Sequence, residues 1–109
     1  MTKPTDLMQG TLHLLILKTI NLAPAHGWAI AQSIRKGSTN VLQATQGVLY
    51  PALHRLGQQG WIKGEWGESD NNRRAKDYSL TRRGKTILKN ADENWCRLSH
   101  AIGLALKMA

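Results

Sequence analysis

The sequence predicts a mainly α fold with three short helices, one small β-hairpin and a long final helix. Three observations carry that expectation. Apolar residues recur at helical spacing through three early segments separated by turn-forming breaks. The pattern then shifts toward alternation on either side of a polar run, residues 68–72. Beyond it, Leu88, Ala91, Trp95, Leu98, Ile102 and Ala105 are spaced 3, 4, 3, 4, 3, which is a heptad seam.

The first segment, residues 7–20, is apolar at positions 7, 8, 12, 14, 15, 16, 17 and 20. A surface helix shows a narrower stripe. This helix is therefore expected to be covered on more than one side, in part by an oligomer interface to which Leu12 and Leu15 contribute. Pro24 breaks the chain, and His26 before Gly27 is expected to close a turn or cap the next helix. The second segment, residues 28–36, places Trp28, Ile30, Ala31 and Ile34 near helical spacing. Gly37, Ser38, Thr39 and Asn40 make a polar break.

Thr45 is a good N-cap type for the third helix. Leu49, Leu53 and Leu56 then follow i, i+4, i+7, and Gly60 stands where a helix stop belongs. Residues 61–66 bring aromatic and β-branched types ahead of the polar run. Residues 75–80 alternate, with Tyr78 and Leu80 on one face and Arg73 and Arg74 at the tip. Trp28, Trp61 and Trp66 read as core or strand packing. Thr81 is the next N-cap candidate. A helix over residues 82–106 is about 37 Å long at ~1.5 Å per residue. It outreaches a body whose expected radius of gyration is about 13 Å. Its seam needs a partner, and a second copy of the chain is the simplest one.

The 109 residues make one domain's worth of chain, with 15 Lys and Arg against 7 Asp and Glu, a net charge of +8. A hydrophobic fraction of 41% excludes a disordered basic tail. The surplus charge favours a polyanion, either nucleic acid or an anionic membrane surface. Seven cations (positions 73, 74, 76, 82, 83, 85 and 89) face one acid, Asp77, over a short stretch. A membrane-surface helix needs basic residues opposite bulky apolar ones, and a cluster at a hairpin and helix start is not that. The apolar run at residues 12–17 is far short of the roughly 20 residues of a membrane span. The lone Cys96 permits no intrachain disulfide, and Lys3, Pro4 and Asp6 do not read as a secretory leader. A cytoplasmic protein is expected.

Three helices with tight breaks suit a helix-turn-helix, and the hairpin suits a wing. The third helix would then lie in the major groove of double-stranded DNA. Its outward positions are expected to be Gln46, Gly47, Tyr50, His54 and Arg55. Gln reads adenine, Arg reads guanine and Tyr holds a phosphate. Arg73, Arg74 and Lys76 supply the wing's cations. The division expected is a winged-helix DNA-binding part, residues 1–81, and a dimerisation helix, residues 82–109, in one structural unit. The alternative is a winged-helix module that uses its long helix to bind a foreign protein.

Catalysis finds no support. There is no Gly-rich phosphate loop, serine elbow or paired carboxylate, and the adjacent Asp92 and Glu93 point differently from a helix. Cys96 and His100 share a helix face at i, i+4, but two ligands without a third make no metal site. No enzyme activity and no cofactor are expected.

The run from Gln46 through Gly47, Val48, Leu49, Tyr50, Pro51, Ala52, Leu53, His54 and Arg55 to Leu56, followed by Gln59, Gly60, Trp61 and Ile62, resembles the recognition helix and first wing strand of the PadR family of transcriptional regulators. Asn71, Asn72, Arg73, Arg74, Ala75 and Lys76, with Tyr78, Leu80, Thr81 and Gly84, extend the likeness, as do Gln9, Gly10, Thr11 and Leu12 and the His26–Gly27 step. It spans residues 7–105. The resemblance implies a homodimer that represses transcription from an inverted-repeat operator, with the last helix pairing against the partner's first. It implies the family's short class and a response to phenolic or other small aromatic compounds. Gln46, Tyr50 and His54 fall on the family's DNA-facing positions and Arg73, Arg74 and Lys76 on its basic wing. Trp95 falls where some members place a ligand-flanking tryptophan across the dimer, beside the alternative that it fills the seam. Val48, Gly57 and Asp77 depart from the family pattern, whereas Pro51 is expected in it.

Overall fold

The computed structural model describes the backbone of residues 4–39, 41–68 and 74–108, and the side chains of these except residues 4–10, 68 and 74. The elements run α1 (Pro4–Leu22), β1 (Ala25–His26), α2 (Gly27–Gly37), α3 (Gln46–Gln58), β2 (Ile62–Glu68), β3 (Arg74–Leu80) and α4 (Arg82–Met108). This is the predicted mainly α order with one strand more. The sheet is antiparallel in the order β1-β3-β2. β1 is only two residues long, pairing Ala25 with Tyr78 and His26 with Asp77. So short a strand leaves no alternation to read.

α1 is the central helix. Leu12, Ile16, Leu17 and Ile20 are buried, and Leu14 and Leu15 pack partly against the same core. Its neighbours are α2, α3, α4 and β3. Its broad apolar girth is thus largely covered by its own chain, and Leu12, 1% exposed, has no surface left for a partner. The oligomer cover expected on this helix is narrowed accordingly.

α3 buries Leu49, Ala52, Leu53 and Leu56. Thr45 takes the N-cap backbone conformation, but its side chain makes no capping bond; its carbonyl accepts the Leu49 N–H at 2.8 Å. Pro51 lies inside the helix and has no N–H to return to the Gly47 carbonyl. At the far end Gly60 adopts φ 78°, its N–H donates to the Gly57 carbonyl, and the Trp61 N–H donates to the Leu56 carbonyl. Those paired bonds are a Schellman motif with glycine at its left-handed position. Gly57 stands in the last turn rather than the helix interior, with open space where a Cβ would project. Thr39, after α2, has φ 51°. That left-handed backbone is unfavourable for a β-branched residue.

Thr81 ties the end of α3 to the start of α4. Its hydroxyl donates to the Gly60 carbonyl at 2.6 Å and accepts the Gly84 N–H at 3.0 Å, while its own N–H donates to the Trp61 carbonyl at 3.1 Å. A Cβ at Gly84 would overlap that same Trp61 carbonyl, so only glycine fits. Lys18 of α1 pairs with Asp92 of α4 at 2.8 Å. Beyond that pair the helix leaves the body. Every described residue from 93 to 108 is exposed. The molecule measures 55 × 29 × 21 Å, and its radius of gyration of 15.1 Å exceeds the ~13 Å of a compact chain this long.

Candidate nucleic-acid interface

The face of α3 away from the core presents Gln46, Gly47, Tyr50, His54 and Arg55, all exposed. They do not share one arc. At 100° per residue, Gly47, Pro51, His54 and Gln58 point directly away from the buried leucines. Tyr50 and Gln46 turn toward the hairpin. Arg55 turns the other way, toward His13 of α1, with which it lines a shallow groove that also includes Gly47 and Val48. Burial, then the Arg55 charge, lowers the His13 pKa below its ordinary value. Val48 packs partly against the core. The helix carries no acidic residue.

Between α3 and the hairpin runs a groove of about 560 Å³, lined by Tyr50, His54 and Gln58 on the helix side and by Lys63, Lys76 and Tyr78 on the strand side. Gln58 and Lys63 are additions to the residues expected from sequence. Gln58 was legible, four residues after His54 on the same helical arc. Lys63 was not, because its placement depends on strand register.

That register sorts the hairpin by face. Trp66 stands opposite Lys76, and Gly64 opposite Tyr78; Glu65 stands opposite Asp77. Alternation therefore sends the acids Glu65 and Asp77 to one face and Lys76 to the other. Asp77 does not share Lys76's side of the ribbon. The Lys76 ammonium lies 5.7 Å from the Trp66 ring centroid and 5.9 Å from that of Tyr78. A Cβ at Gly64 would overlap the Lys76 stem, so the glycine makes room for the cation. Burial, with the Tyr50 phenol nearby, raises the Tyr78 pKa and keeps that hydroxyl protonated. Arg74 opens β3 opposite Glu68, its side chain outside the described set; Arg73 lies outside the described residues altogether.

The tryptophans correct one expectation. Trp61 packs partly against the core, but Trp28 is 63% and Trp66 62% exposed. Trp28 sits in the first turn of α2 and Trp66 on an outer strand, where the core is already filled by aliphatic residues. His26 holds the N-cap position of α2 but makes no side-chain cap; its ring stacks on Trp28 instead. Along α4, Leu88 is buried and Ala91 half-buried, whereas Trp95, Leu98 and Ile102 are 42%, 48% and 46% exposed and Ala105 is exposed. Cys96 and His100 are exposed on the same helix, and no group of three metal-ligating side chains occurs among the described residues. No described helix is long and apolar enough to cross a membrane.

A profile of the PadR-like transcriptional regulator family matches residues 16–90. An uncharacterized protein of Lysinibacillus sphaericus is 26% identical over 103 residues, 94% of either chain. Among solved structures, a transcriptional regulator from Clostridium thermocellum superposes with a TM-score of 0.81 at 26% identity, covering 90% of this chain and 95% of that one. A PadR family regulator from Eggerthella lenta gives a TM-score of 0.80 at 28% identity, covering 95% of this chain and 88% of that one. The exposed helix beside the Lys76 face of the hairpin is thus set in a known frame, and the chain belongs to the PadR-like family of transcriptional regulators, which are DNA-binding winged-helix proteins rather than enzymes.

Proposed function

We propose that this protein is a cytoplasmic repressor that binds an inverted-repeat operator as a homodimer. One observation carries the reading. α3 offers an acid-free polar face beside the Lys76 face of the hairpin, while α4 carries an exposed apolar seam. Residues 1–81 act as the DNA-binding part and residues 82–109 as the dimerisation helix. Gln46, Gly47 and His54 approach base edges in the major groove, and Arg55 contacts the flanking strand from its own side. Tyr50, Lys76, Arg73 and Arg74 hold phosphates. Trp95, Leu98, Ile102 and Ala105 form the exposed part of the seam, backed by Leu88, Ala91 and Leu15; Leu12 supports α1 from within. A small aromatic effector acting at Trp95 is the corresponding regulatory reading.

The test is fluorescence anisotropy with a duplex from upstream of the chain's own gene, titrated against salt. The Arg73→Ala/Arg74→Ala double variant is expected to bind more weakly on all sequences, its salt slope reduced by about 0.9 for each phosphate no longer neutralised. Full affinity in that variant removes the wing from the interface. Light scattering on the same sample reads the seam: a dimer is expected, and a monomer leaves the seam for a foreign helix.

A further inference from the structure

Lysine is ordinarily a mobile, strongly hydrated charge on a flexible stem, and a partner that captures it has to order that stem. Lys76 is different. Register and alternation put Gly64, Trp66, Lys76 and Tyr78 on one face of the hairpin, with Trp66 directly across from Lys76 and Gly64 on the diagonal. The ammonium stands 5.7 Å from the Trp66 ring centroid and 5.9 Å from that of Tyr78, both inside the roughly 6 Å reach of a cation–π contact. The stem crosses Gly64, where a Cβ would stand 3.0 Å from the Lys76 Cγ and Cδ and overlap its Cε. Two rings and one missing side chain thus make a slot for a single lysine.

The slot holds the cation without cancelling it. Glu65 and Asp77 project from the opposite face, and Lys76 forms no ion pair among the described residues. A carboxylate would fix the ammonium and neutralise it; ring faces fix it and leave its charge intact. Lys76 also stands beside Tyr50, the two lining both the groove against α3 and a smaller one toward α2. Tyr50 is seated in the same manner, a Cβ at Gly27 standing 3.1 Å from its hydroxyl. We propose that Gly64, Trp66 and Tyr78 are positioning residues, which hold the Lys76 ammonium in place before DNA arrives, so that it meets one backbone phosphate without having to be ordered. The phosphate contact rests on the DNA reading above; the slot itself does not.

Gly64→Ala separates position from charge. The atoms its methyl meets belong to a flexible side chain, and glycine weakens a strand interior, so the fold is expected to stand while the Lys76 stem is pushed out. In the free full-length chain, proton NMR is expected to show the Lys76 Cε protons shifted upfield by the two rings. That shift is expected to vanish in Gly64→Ala and to shrink in Trp66→Leu. An unshifted wild-type signal overturns the slot, whether or not the protein binds DNA. Anisotropy with the same upstream duplex reads the consequence. Lys76→Gln is expected to reduce the salt slope by about 0.9. Gly64→Ala and Trp66→Leu keep the charge, and each is expected to weaken binding about three- to tenfold, the worth of ordering one long side chain. In the Lys76→Gln background the same two changes are expected to cost nothing further. Equal losses in both backgrounds, or wild-type affinity in Gly64→Ala, overturn the positioning role. If Trp66→Leu unfolds, Gly64→Ala carries the cycle alone. A shifted Lys76 signal in a chain that binds no duplex refutes the DNA reading and the phosphate role together, and leaves the slot standing.

Discussion

The two halves of α4 share a seam but not a fate. In the first, Gly84 and Leu88 are buried against the body, and Asp92 is fixed to Lys18. In the second, Trp95, Leu98 and Ile102 repeat the same spacing and remain close to half exposed. The pattern of side chains is continuous across the boundary; what changes is whether the chain folds back to meet it. Stability in the first half is therefore a property of one molecule; in the proposed homodimer, that of the second half depends on how often two molecules meet.

The sharpest way to separate these regimes is to remove the same side chain from each. Leu88, buried in the first half, is expected to cost about 3 kcal/mol as Leu88→Ala, at any protein concentration. Leu98→Ala is expected to leave the core intact and to lower the urea midpoint progressively as the protein is diluted. Identical concentration dependence in both variants, read by chemical denaturation across a hundredfold dilution on the order of the dimer's dissociation range, breaks the distinction. Gly84→Ala follows in size. It forces a methyl into the Trp61 carbonyl and is expected to cost about 2 kcal/mol, without concentration dependence.

Smaller effects refine the covered half. Thr39→Gly relieves left-handed strain and is expected to gain roughly 0.5–1 kcal/mol in thermal or urea unfolding. The His13 pKa is lowered in the folded state, so its neutral form is the one the fold favours. Its contribution is neutral above the ordinary value of 6.5 and turns destabilising as pH falls below it, levelling off below the folded pKa. His13→Gln is expected to flatten that part of the stability–pH curve, by less than any of the changes above. A curve that keeps its wild-type slope below that pH assigns the acid sensitivity to another group.

Much of the fold was legible in the chain. Leu49, Leu53 and Leu56 placed α3, Gly60 ended it, and Thr81 began α4, because each acts through neighbours a few residues away. β1 was not legible, since two residues carry no period and its pairing with β3 spans about fifty positions. The exposed face of α3 follows from helical angle alone. Its division between Tyr50 toward the hairpin and Arg55 toward His13 depends on which elements flank it. The exposed Trp28 and Trp66 run against expectation because tryptophan's size suggests a core place, while the core is already closed by smaller residues.

The Thr81 junction has a mechanical consequence. With its hydroxyl bonded to Gly60 and its amide to Trp61, α3 and α4 meet at a stiff elbow rather than a free joint. In a two-fold pair, α4 is then a lever whose far end belongs to the partner. The tip of the 27-residue helix lies about 40 Å from the elbow at ~1.5 Å per residue, so a tilt of ~5° displaces it by about 3.5 Å, close to the ~3.4 Å rise of one base pair. In the proposed operator complex, a small change in how the two long helices cross would thus shift the recognition helices by about one step along the duplex. The spacing between half-sites becomes a readout of the crossing angle.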